Sequence, residues 1–410
     1  MAVTRRQILG GLGASAAAAW AATRAPVARA ADDIVVAGLH DVSGVFDIYG
    51  RAMVDALTLG VEEINAAGGL LGRNLRLVNY DTQSNLQLYP QYAQRAALVD
   101  LAAVVMGGIT SASREAVRPV LDRLQTLYFY NTQYEGGVCD RNTVLTGVTP
   151  GQTVAKLVPF AMRRWGKRIY VLAADYNYGQ ITADWVKKFC QDEGGEIVAT
   201  DFFPTDVTEF GTTISRIQAA KPDLVMSVLV GGAHLSFYRQ WAAAGMTGRI
   251  AMASTTFGVG NEHIVLTPAE AEGMLVCYNY FQELETPANR SFVERFHARF
   301  GADYDYIHEL AMASYQGLAL WAEAVRRAGG VERMKVIAAL ESGLAIDAPS
   351  GRVALDPATH HCVLNVHVAE LRQGRFQVLE TFAAQPPADT AAVCDLIANP
   401  DDNQQYVIRV

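Results

Sequence analysis

A glycine- and hydroxyl-rich turn at residues 107–113 is the first segment whose residue types could do chemistry. It reads Gly-Gly-Ile-Thr-Ser-Ala-Ser and leads from an apolar run into an amphipathic one. Free N–H groups at a helix start can hold a carbonyl or carboxylate oxygen, and a serine hydroxyl can add to them. The same residue types also make an ordinary helix cap. Thr110 and Ser111 are therefore candidate ligand-binding residues, with simple capping as the alternative.

A second polar segment, residues 130–137, reads Tyr-Asn-Thr-Gln-Tyr-Glu-Gly-Gly. Tyrosine and uncharged polar side chains at a strand end are costly to bury without partners, so together they suit a small polar ligand. Tyrosine adds an apolar wall and a hydroxyl at little conformational cost. The candidates in this segment are Tyr130, Thr132, Gln133 and Tyr134.

Two later segments fall at equivalent places. Residues 174–179 read Ala-Asp-Tyr-Asn-Tyr-Gly, and they contribute the candidates Asp175 and Tyr176. Val230 and Gly231 begin a glycine turn at which the backbone can come close to a ligand. Asp, Asn and Gly also make surface turns, so turn chemistry is the alternative here.

Catalytic motifs are missing from the sequence. It contains no GxSxG elbow, no GxxxxGK[ST] phosphate loop and no HExxH zinc helix. His360, His361 and His367 fall in a strand and turn pattern, which favours a structural role over a metal site. Asp175 and Glu135 have no nucleophile nearby in the pattern, so we interpret them as hydrogen-bond acceptors rather than an acid–base pair. We expect a binding protein with no metal and no cofactor, and not an enzyme.

The elements that must position these candidates repeat twice along the chain. Short β-branched runs alternate with longer amphipathic runs from Ile34 to Tyr130, and again from Val154 to Ala253. This alternation predicts an α/β fold with parallel sheets covered on both faces. In such sheets ligands bind beyond the carboxyl ends of the strands, where the candidate segments fall.

We therefore predict two Rossmann-like lobes joined by a three-segment hinge. The predicted parts are lobe 1 at 31–148 plus 278–344, lobe 2 at 149–277 plus 345–383, and a surface tail at 384–410. The helices that follow residue 281 have no sheet of their own and return most economically to lobe 1. The chain would then cross between the lobes near 146–151, 276–281 and 342–349.

Composition narrows the function classes. The chain has 410 residues and a net charge of −8, with half of its residues hydrophobic. This length predicts more than one core, and the acidic balance argues against a nucleic-acid partner. Residues 1–30 resemble an export signal, with the pair Arg5–Arg6, an apolar run and a small-x-small cleavage site at 28–30. They are also close to a twin-arginine signal, so we expect a periplasmic protein, with the twin-arginine route as one candidate for its export.

Five cysteines in an exported chain permit one or two disulfides. Cys190 falls in an amphipathic helical pattern and is expected in the core. Cys139 and Cys394 lie in irregular segments and are the candidates for pairing. None of the five has CxxC spacing, which leaves metal and redox interpretations weak.

Five segments together resemble the type I periplasmic solute-binding proteins of ABC importers. They are VEEINAAGG at 61–69, TSASR at 110–114, YEG at 134–136, AKPD at 220–223 and IDAPSG at 346–351. The resemblance is greatest to the Leu/Ile/Val-binding-like branch, which takes branched-chain amino acids, urea or short amides. It implies two lobes that close over a small polar solute, and a membrane permease with a cytoplasmic ATPase as partner. We expect a monomer.

The resemblance also implies roles for the candidates. Ser111 and Thr132 match positions that hold the ligand's oxygen end. Tyr130 and Tyr134 match walls of an amide pocket. Tyr176 with Asp175 matches the cover from the second lobe, and Val230-Gly231 matches a backbone contact. The combination of TSASR with Tyr-x-Thr-x-Tyr-Glu-Gly favours urea or a short aliphatic amide.

Two departures from the family pattern affect the choice of ligand. Asn131 stands where amide- and urea-binding relatives often have proline. Residues 254–257 read Ser-Thr-Thr-Phe, without the carboxylate that amino-acid-binding relatives present there to the ligand ammonium. A desolvated ammonium without a carboxylate would be costly, which weakens the alternative of a small aliphatic amino acid. Asp175 or Glu135 could substitute for that carboxylate.

Overall fold

The structure, a computed structural model, describes residues 33–408, so the predicted export signal lies outside the described residues. The chain begins with a strand–helix series: β1 (Ile34–His40), α1 (Asp47–Ala66), β2 (Leu75–Asp81), α2 (Leu88–Leu98), β3 (Val104–Gly107), α3 (Ser111–Arg123), β4 (Leu127–Tyr130), β5 (Val138–Asp140) and β6 (Thr143–Leu145). β1 and β3 are buried along their whole length, which explains their nearly unbroken apolar sequence.

The second series repeats this alternation. It consists of α4 (Val154–Trp165), β7 (Arg168–Ala174), α5 (Asn177–Asp192), β8 (Glu196–Phe203), α6 (Gly211–Ala220), β9 (Leu224–Val228), α7 (Gly232–Ala243), β10 (Ala251–Ser254), α8 (Glu262–Val265), α9 (Pro268–Ala271) and β11 (Leu275–Tyr278). Three helices and five strands with one short helix complete the chain: α10 (Pro287–Phe300), α11 (Glu309–Ala328), α12 (Arg333–Glu341), β12 (Ala345–Ala348), β13 (Gly351–Asp356), β14 (His361–Arg372), β15 (Arg375–Gln385), α13 (Ala388–Ala391) and β16 (Asn403–Gln405).

Most strands belong to one extended sheet with the order β2-β1-β3-β4-β6-β14-β11-β10-β9-β7-β8. The first five strands pair in parallel, and we call them the first strand group. The last five also pair in parallel and form the second strand group. The predicted α/β class with two parallel strand groups is confirmed.

Helix α11 packs against α1 on the first strand group, as the sequence predicted for helices that lack a sheet of their own. Trp321 of α11 is fully buried, and Gly60 of α1 permits the close approach of the two helices. A Cβ atom at Gly60 would lie 2.8 Å from Cδ2 of Leu318, so only glycine fits without displacement of that side chain.

The chain passes between the strand groups three times. Residues 146–153 and 279–286 make the first two connections, close to the predicted positions. The third lies inside β14, because His361 pairs with Leu145 of β6 whereas residues 367–370 pair with β11. The predicted crossing at 342–349 is therefore too early, and β12 and β13 pack with α11 and α12 rather than in the predicted lobe 2. A sequence pattern locates a strand but does not reveal that one long strand serves both groups.

The C-terminal segment is part of the fold and not the surface tail that the sequence predicted. β15 continues to Gln385, and β16 pairs antiparallel with β5. The structure joins Cys139 to Cys394, the two cysteines proposed for pairing, whereas Cys190 is free and buried. Asp389 is buried as well, because its carboxylate accepts hydrogen bonds from the Thr149 hydroxyl and from backbone N–H groups.

No helix between residues 33 and 408 is both long and apolar enough to cross a membrane.

Candidate functional site

A cavity lies between the two strand groups, beyond the carboxyl ends of their strands. Its volume is about 40 Å³, measured as the space open to the centre of a water molecule. The lining residues are Phe46, Tyr49, Ile109, Thr110, Ser111, Tyr130, Thr132, Gln133 and Leu310 from the first series and α11, with Tyr176, Tyr178, Val230, Thr256 and Val259 from the second series. The position is the one that strand topology favours for a ligand.

The turn between β3 and α3 brings one helix start to the cavity. Gly107 and Gly108 have φ values of 117° and 91°, which the turn requires and which disfavour other residues. Thr110 caps α3, since its hydroxyl accepts a hydrogen bond from the Ser113 N–H at 3.1 Å. The N–H groups of Ser111 and of the next residue have no partner among the described residues, so they remain open to an oxygen atom.

Behind this helix start lies a fully buried ion pair. The Ser111 hydroxyl donates to Oε2 of Glu135 at 2.6 Å, and Nη2 of Arg114 donates to Oε1 of Glu135 at 3.0 Å. Both charged side chains are wholly inaccessible to solvent. Burial alone would lower the pKa of Arg114, but Glu135, Tyr130, Glu115 and Tyr134 together outweigh burial and raise the pKa overall. The guanidinium also lies over the rings of Tyr130 and Tyr134, with its central carbon 5.1 and 4.4 Å from the ring centroids.

Strand β4 and the residues after it supply the second part of the wall. The Tyr130 hydroxyl donates to the Ile109 carbonyl at 3.0 Å, and the Thr132 hydroxyl donates to the Gly108 carbonyl at 2.7 Å. Nε2 of Gln133 donates to the Thr255 carbonyl at 3.1 Å and so reaches the second strand group. These bonds fix the direction of each polar side chain before any ligand arrives.

The second strand group covers the cavity from the opposite side. Tyr176 and Tyr178 come from the start of α5, with ring centroids 6.2 Å apart. The Thr256 hydroxyl donates to the Leu229 carbonyl at 2.7 Å. A second contact between the groups runs from the Gly231 N–H to the Tyr49 hydroxyl at 3.4 Å.

The cavity wall carries aromatic rings and hydroxyl groups but no charged side chain among the described residues. Burial raises the pKa of Tyr49, Tyr130, Tyr176 and Tyr178 above the ordinary tyrosine value, so all four phenols are neutral at physiological pH. The site can therefore enclose a small neutral molecule between apolar faces and hydrogen-bond it at its edges.

The structure brings seven of the ten proposed ligand-binding residues to this cavity: Thr110, Ser111, Tyr130, Thr132, Gln133, Tyr176 and Val230. The other three lie outside its lining. The Tyr134 hydroxyl bonds to His361, Asp175 is exposed and accepts from Gln180, and Gly231 contacts Tyr49 through its N–H.

Sequence reasoning missed seven lining residues, namely Phe46, Tyr49, Ile109, Tyr178, Thr256, Val259 and Leu310. Tyr178 and Thr256 fall in segments singled out above, so the signal for them was present. Phe46 and Tyr49 escaped because α1 begins four residues earlier than its apolar pattern predicts. Leu310 is an unremarkable helical leucine, and nothing in its local sequence marks it.

Two of the histidines that the sequence pattern assigned to a structural role contact named partners. His361 bonds to Tyr134, and Nε2 of His360 lies 3.0 Å from a carboxylate oxygen of Glu341. Within residues 33–408 no group of His, Cys, Asp and Glu side chains is arranged to hold a metal ion.

The fold and the site define a class of binding proteins, and the chain belongs to it: residues 34–390 match the family model of the periplasmic binding protein domain. Over 342 residues the chain is 26% identical to the leucine-, isoleucine-, valine-, threonine- and alanine-binding protein of Pseudomonas aeruginosa, covering 81% of this chain and 88% of that protein.

Solved structures share the fold. A solute-binding protein of an ABC transporter from R. palustris, crystallised with benzoate, superposes with a TM-score of 0.77 at 22% identity over 86% of this chain and 97% of that one. An amino acid ABC transporter substrate-binding protein from Pseudomonas fluorescens gives a TM-score of 0.78 at 21% identity over 88% and 99%.

Family membership fixes the general function. The chain is a periplasmic binding protein, so its general function is to bind a small solute rather than to catalyse a reaction.

Proposed function

We propose that the protein captures urea or a short aliphatic amide. The observation that carries this proposal is the small cavity without charged side chains. Only about 40 Å³ of the cavity is open to the centre of a water molecule, which favours a ligand of few atoms over a larger solute. Urea and acetamide each have four non-hydrogen atoms.

The polarity of the wall supports the same ligands. The open N–H groups at the start of α3 suit the carbonyl oxygen of an amide. The tyrosine rings suit its flat faces, and the hydroxyl groups around the edge suit its NH2 group. An amide offers these three features within four atoms.

A small aliphatic amino acid is the second candidate, and the name of the Pseudomonas aeruginosa relative favours it. The carboxylate of such a ligand could also use the α3 N–H groups. Its ammonium would lie in a cavity whose described lining contains no carboxylate, and Asp175, the substitute considered above, is exposed and bonded to Gln180. An unpaired buried ammonium is costly, so we rank this ligand second.

Capture would proceed by closure of two lobes, with the boundaries expected above but with 345–360 assigned to lobe 1. The contacts Gln133–Thr255 and Tyr49–Gly231 support this movement, since they exist only while the two strand groups face each other closely. A ligand that touches both groups favours the closed arrangement because it gains contacts there. We further propose that the protein works as a monomer and is exported by the twin-arginine route.

Calorimetry on refolded, ligand-stripped protein tests the ligand class. We expect heats of binding with urea, acetamide or formamide, and none with leucine, valine or benzoate at equal concentration. Tight binding of leucine without an amide signal would reverse the order of the two candidates. The variant Tyr176→Ala, which removes the cover from the second strand group, should weaken every genuine ligand of the cavity, whereas Ser215→Ala, an exposed serine on α6, should not.

A further inference from the structure

Three hydroxyl groups on the first-series side of the cavity have already donated their protons to the protein. Ser111 donates to Glu135, Thr132 to the Gly108 carbonyl and Tyr130 to the Ile109 carbonyl. A hydroxyl has one proton and two lone pairs, so these three oxygens can offer only lone pairs to a ligand.

The same holds across the cleft. The Thr256 hydroxyl donates to the Leu229 carbonyl, and Gln133 uses an N–H of its amide on the Thr255 carbonyl. A ligand therefore meets several hydrogen-bond acceptors on the wall, and it must present N–H or O–H donors to satisfy them. A ligand without donors would leave buried acceptors unpaired, which is costly.

Among these hydroxyl groups, only that of Ser111 points its proton at a charged group. Its acceptor is a carboxylate, which has no proton to return. Nη2 of Arg114 donates to the Glu135 carboxylate at 3.0 Å and also to the side-chain carbonyl oxygen of Gln405 at 2.7 Å. The main-chain carbonyls that fix the other hydroxyls cannot be changed by substitution, but Glu135 can.

We propose that Glu135 is a positioning residue that sets ligand specificity: by accepting the Ser111 proton, it makes the Ser111 oxygen an acceptor toward the cavity and selects ligands that present an N–H there. This inference deepens the proposed function and rests on it for the choice of amides as probes. Glu135 itself does not line the cavity, so it acts through Ser111.

The substitution Glu135→Gln tests the proposal because a glutamine side chain can donate to Ser111 and turn its proton toward the cavity. The probes are acetamide and acetate, which have nearly the same shape. Acetamide has an NH2 donor where acetate has an acceptor oxygen. We expect the wild-type preference for acetamide over acetate, measured by calorimetry, to fall by about tenfold or more. The reason is that the acetamide N–H loses its hydrogen bond to Ser111 and faces another donor instead. An unchanged ratio overturns the proposal.

Loss of a negative charge would by itself favour acetate, and a double-mutant cycle separates that effect. In the Ser111→Ala background the hydroxyl is absent, so Glu135→Gln should shift the ratio much less than in the wild-type background. An equal shift in both backgrounds means that charge alone acts and overturns the proposal. Glu370→Gln is the matched control, since Glu370 is also buried and paired with arginines but lies away from the cavity, and it should leave the ratio unchanged.

A second variant keeps the test open if Glu135→Gln fails to fold because Arg114 has lost its buried partner. Thr132→Val removes a hydrogen-bond acceptor from the cavity wall and leaves the ion pair unchanged. The affinity for acetamide should fall by about tenfold, whereas the affinity for acetate should not change. Equal losses for both probes contradict the inference.

Failure of the proposed function is recognised separately. If the wild-type protein binds leucine and no amide, the amide proposal fails. The ratio of the affinities for leucine and for its 2-hydroxy acid analogue is then measured in the same double-mutant cycle. A wild-type preference for benzoate over benzamide would overturn the inference directly.

Discussion

At the residue scale, Ser111 connects the cavity to the interior. Its hydroxyl bonds to Glu135, its N–H is open to the ligand, and its side chain lines the wall. The residue therefore matters twice, once for the ligand and once for the ion pair behind it.

Ser111→Ala should weaken ligand binding by about 1–2 kcal/mol, the cost of one lost buried hydrogen bond together with a less satisfied Glu135 carboxylate. Titration calorimetry with the best ligand measures the change. Ser215→Ala removes an exposed hydroxyl from α6 and serves as the control. Wild-type affinity in Ser111→Ala would remove Ser111 from the ligand site.

Residue types at strand ends predicted a large part of the cavity. Ser111, Thr132 and Tyr176 were recognisable because polar and aromatic side chains rarely gather at such places without a partner. Tyr134 was predicted as a wall, but its ring lies under Arg114 and its hydroxyl contacts His361 instead. Alternation along a strand predicts the face of the sheet on which a side chain lies. It does not reveal which residue from a distant part of the chain contacts that side chain.

At the scale of elements, the β3–α3 turn decides where the helix start points. Gly107 follows the last buried residues of β3 with a positive φ, and a Cβ atom there would lie 2.4 Å from the Leu39 carbonyl oxygen of the neighbouring strand. No side-chain rotation relieves such a contact, because the obstructing atom belongs to the backbone.

Gly107→Ala should therefore destabilise the protein by about 1–3 kcal/mol and weaken ligand binding, since the turn must shift and carry Thr110 and Ser111 with it. Thermal unfolding and calorimetry on the same preparation report both effects. Gly211→Ala is the control, because nothing lies within 4 Å of a Cβ atom at that helix start. A Gly107→Ala protein with unchanged stability would contradict the strain argument.

Periodicity predicted the order and type of nearly all long helices and parallel strands, because covered parallel strands read as apolar runs and surface helices as amphipathic ones. It failed where an element depends on a distant partner. β5 and β16 have three residues each and exist through their mutual pairing, which local sequence does not encode. The same reason explains why the third crossing, inside β14, was misplaced.

At the scale of the whole molecule, one buried carboxyl group should make stability depend on pH. Both oxygens of Glu309 lack a hydrogen-bond partner among the described residues, and burial raises the pKa of this group to about 8 from 4.5. The folded state then holds a proton that the unfolded state releases above pH 4.5. Rising pH between about 4.5 and 8 therefore lowers the free energy of unfolding.

Glu309→Gln keeps the shape of the protonated group and removes the titration. At pH 8 the variant should be more stable than the wild-type protein by about 2–4 kcal/mol, and the difference should disappear toward pH 4.5. Urea unfolding curves at pH 5, 6.5 and 8 measure it. Glu294→Gln, which changes an exposed glutamate on α10, should show no such trend. A gap that stays constant with pH would mean that Glu309 is ionised in the folded protein.

The hydrogen bond between Arg114 and Gln405 has a consequence for biosynthesis. Gln405 lies 291 residues after Arg114 in the sequence, yet it accepts a hydrogen bond from the guanidinium whose partner carboxylate orients Ser111. During translation the loops around the cavity emerge before β16, which carries the side chain that contacts Arg114. A product cut short after β15 would contain every residue of the cavity wall but would lack Gln405, the strand that pairs with β5 and the Cys394 end of the disulfide, so we expect impaired ligand discrimination together with lower stability.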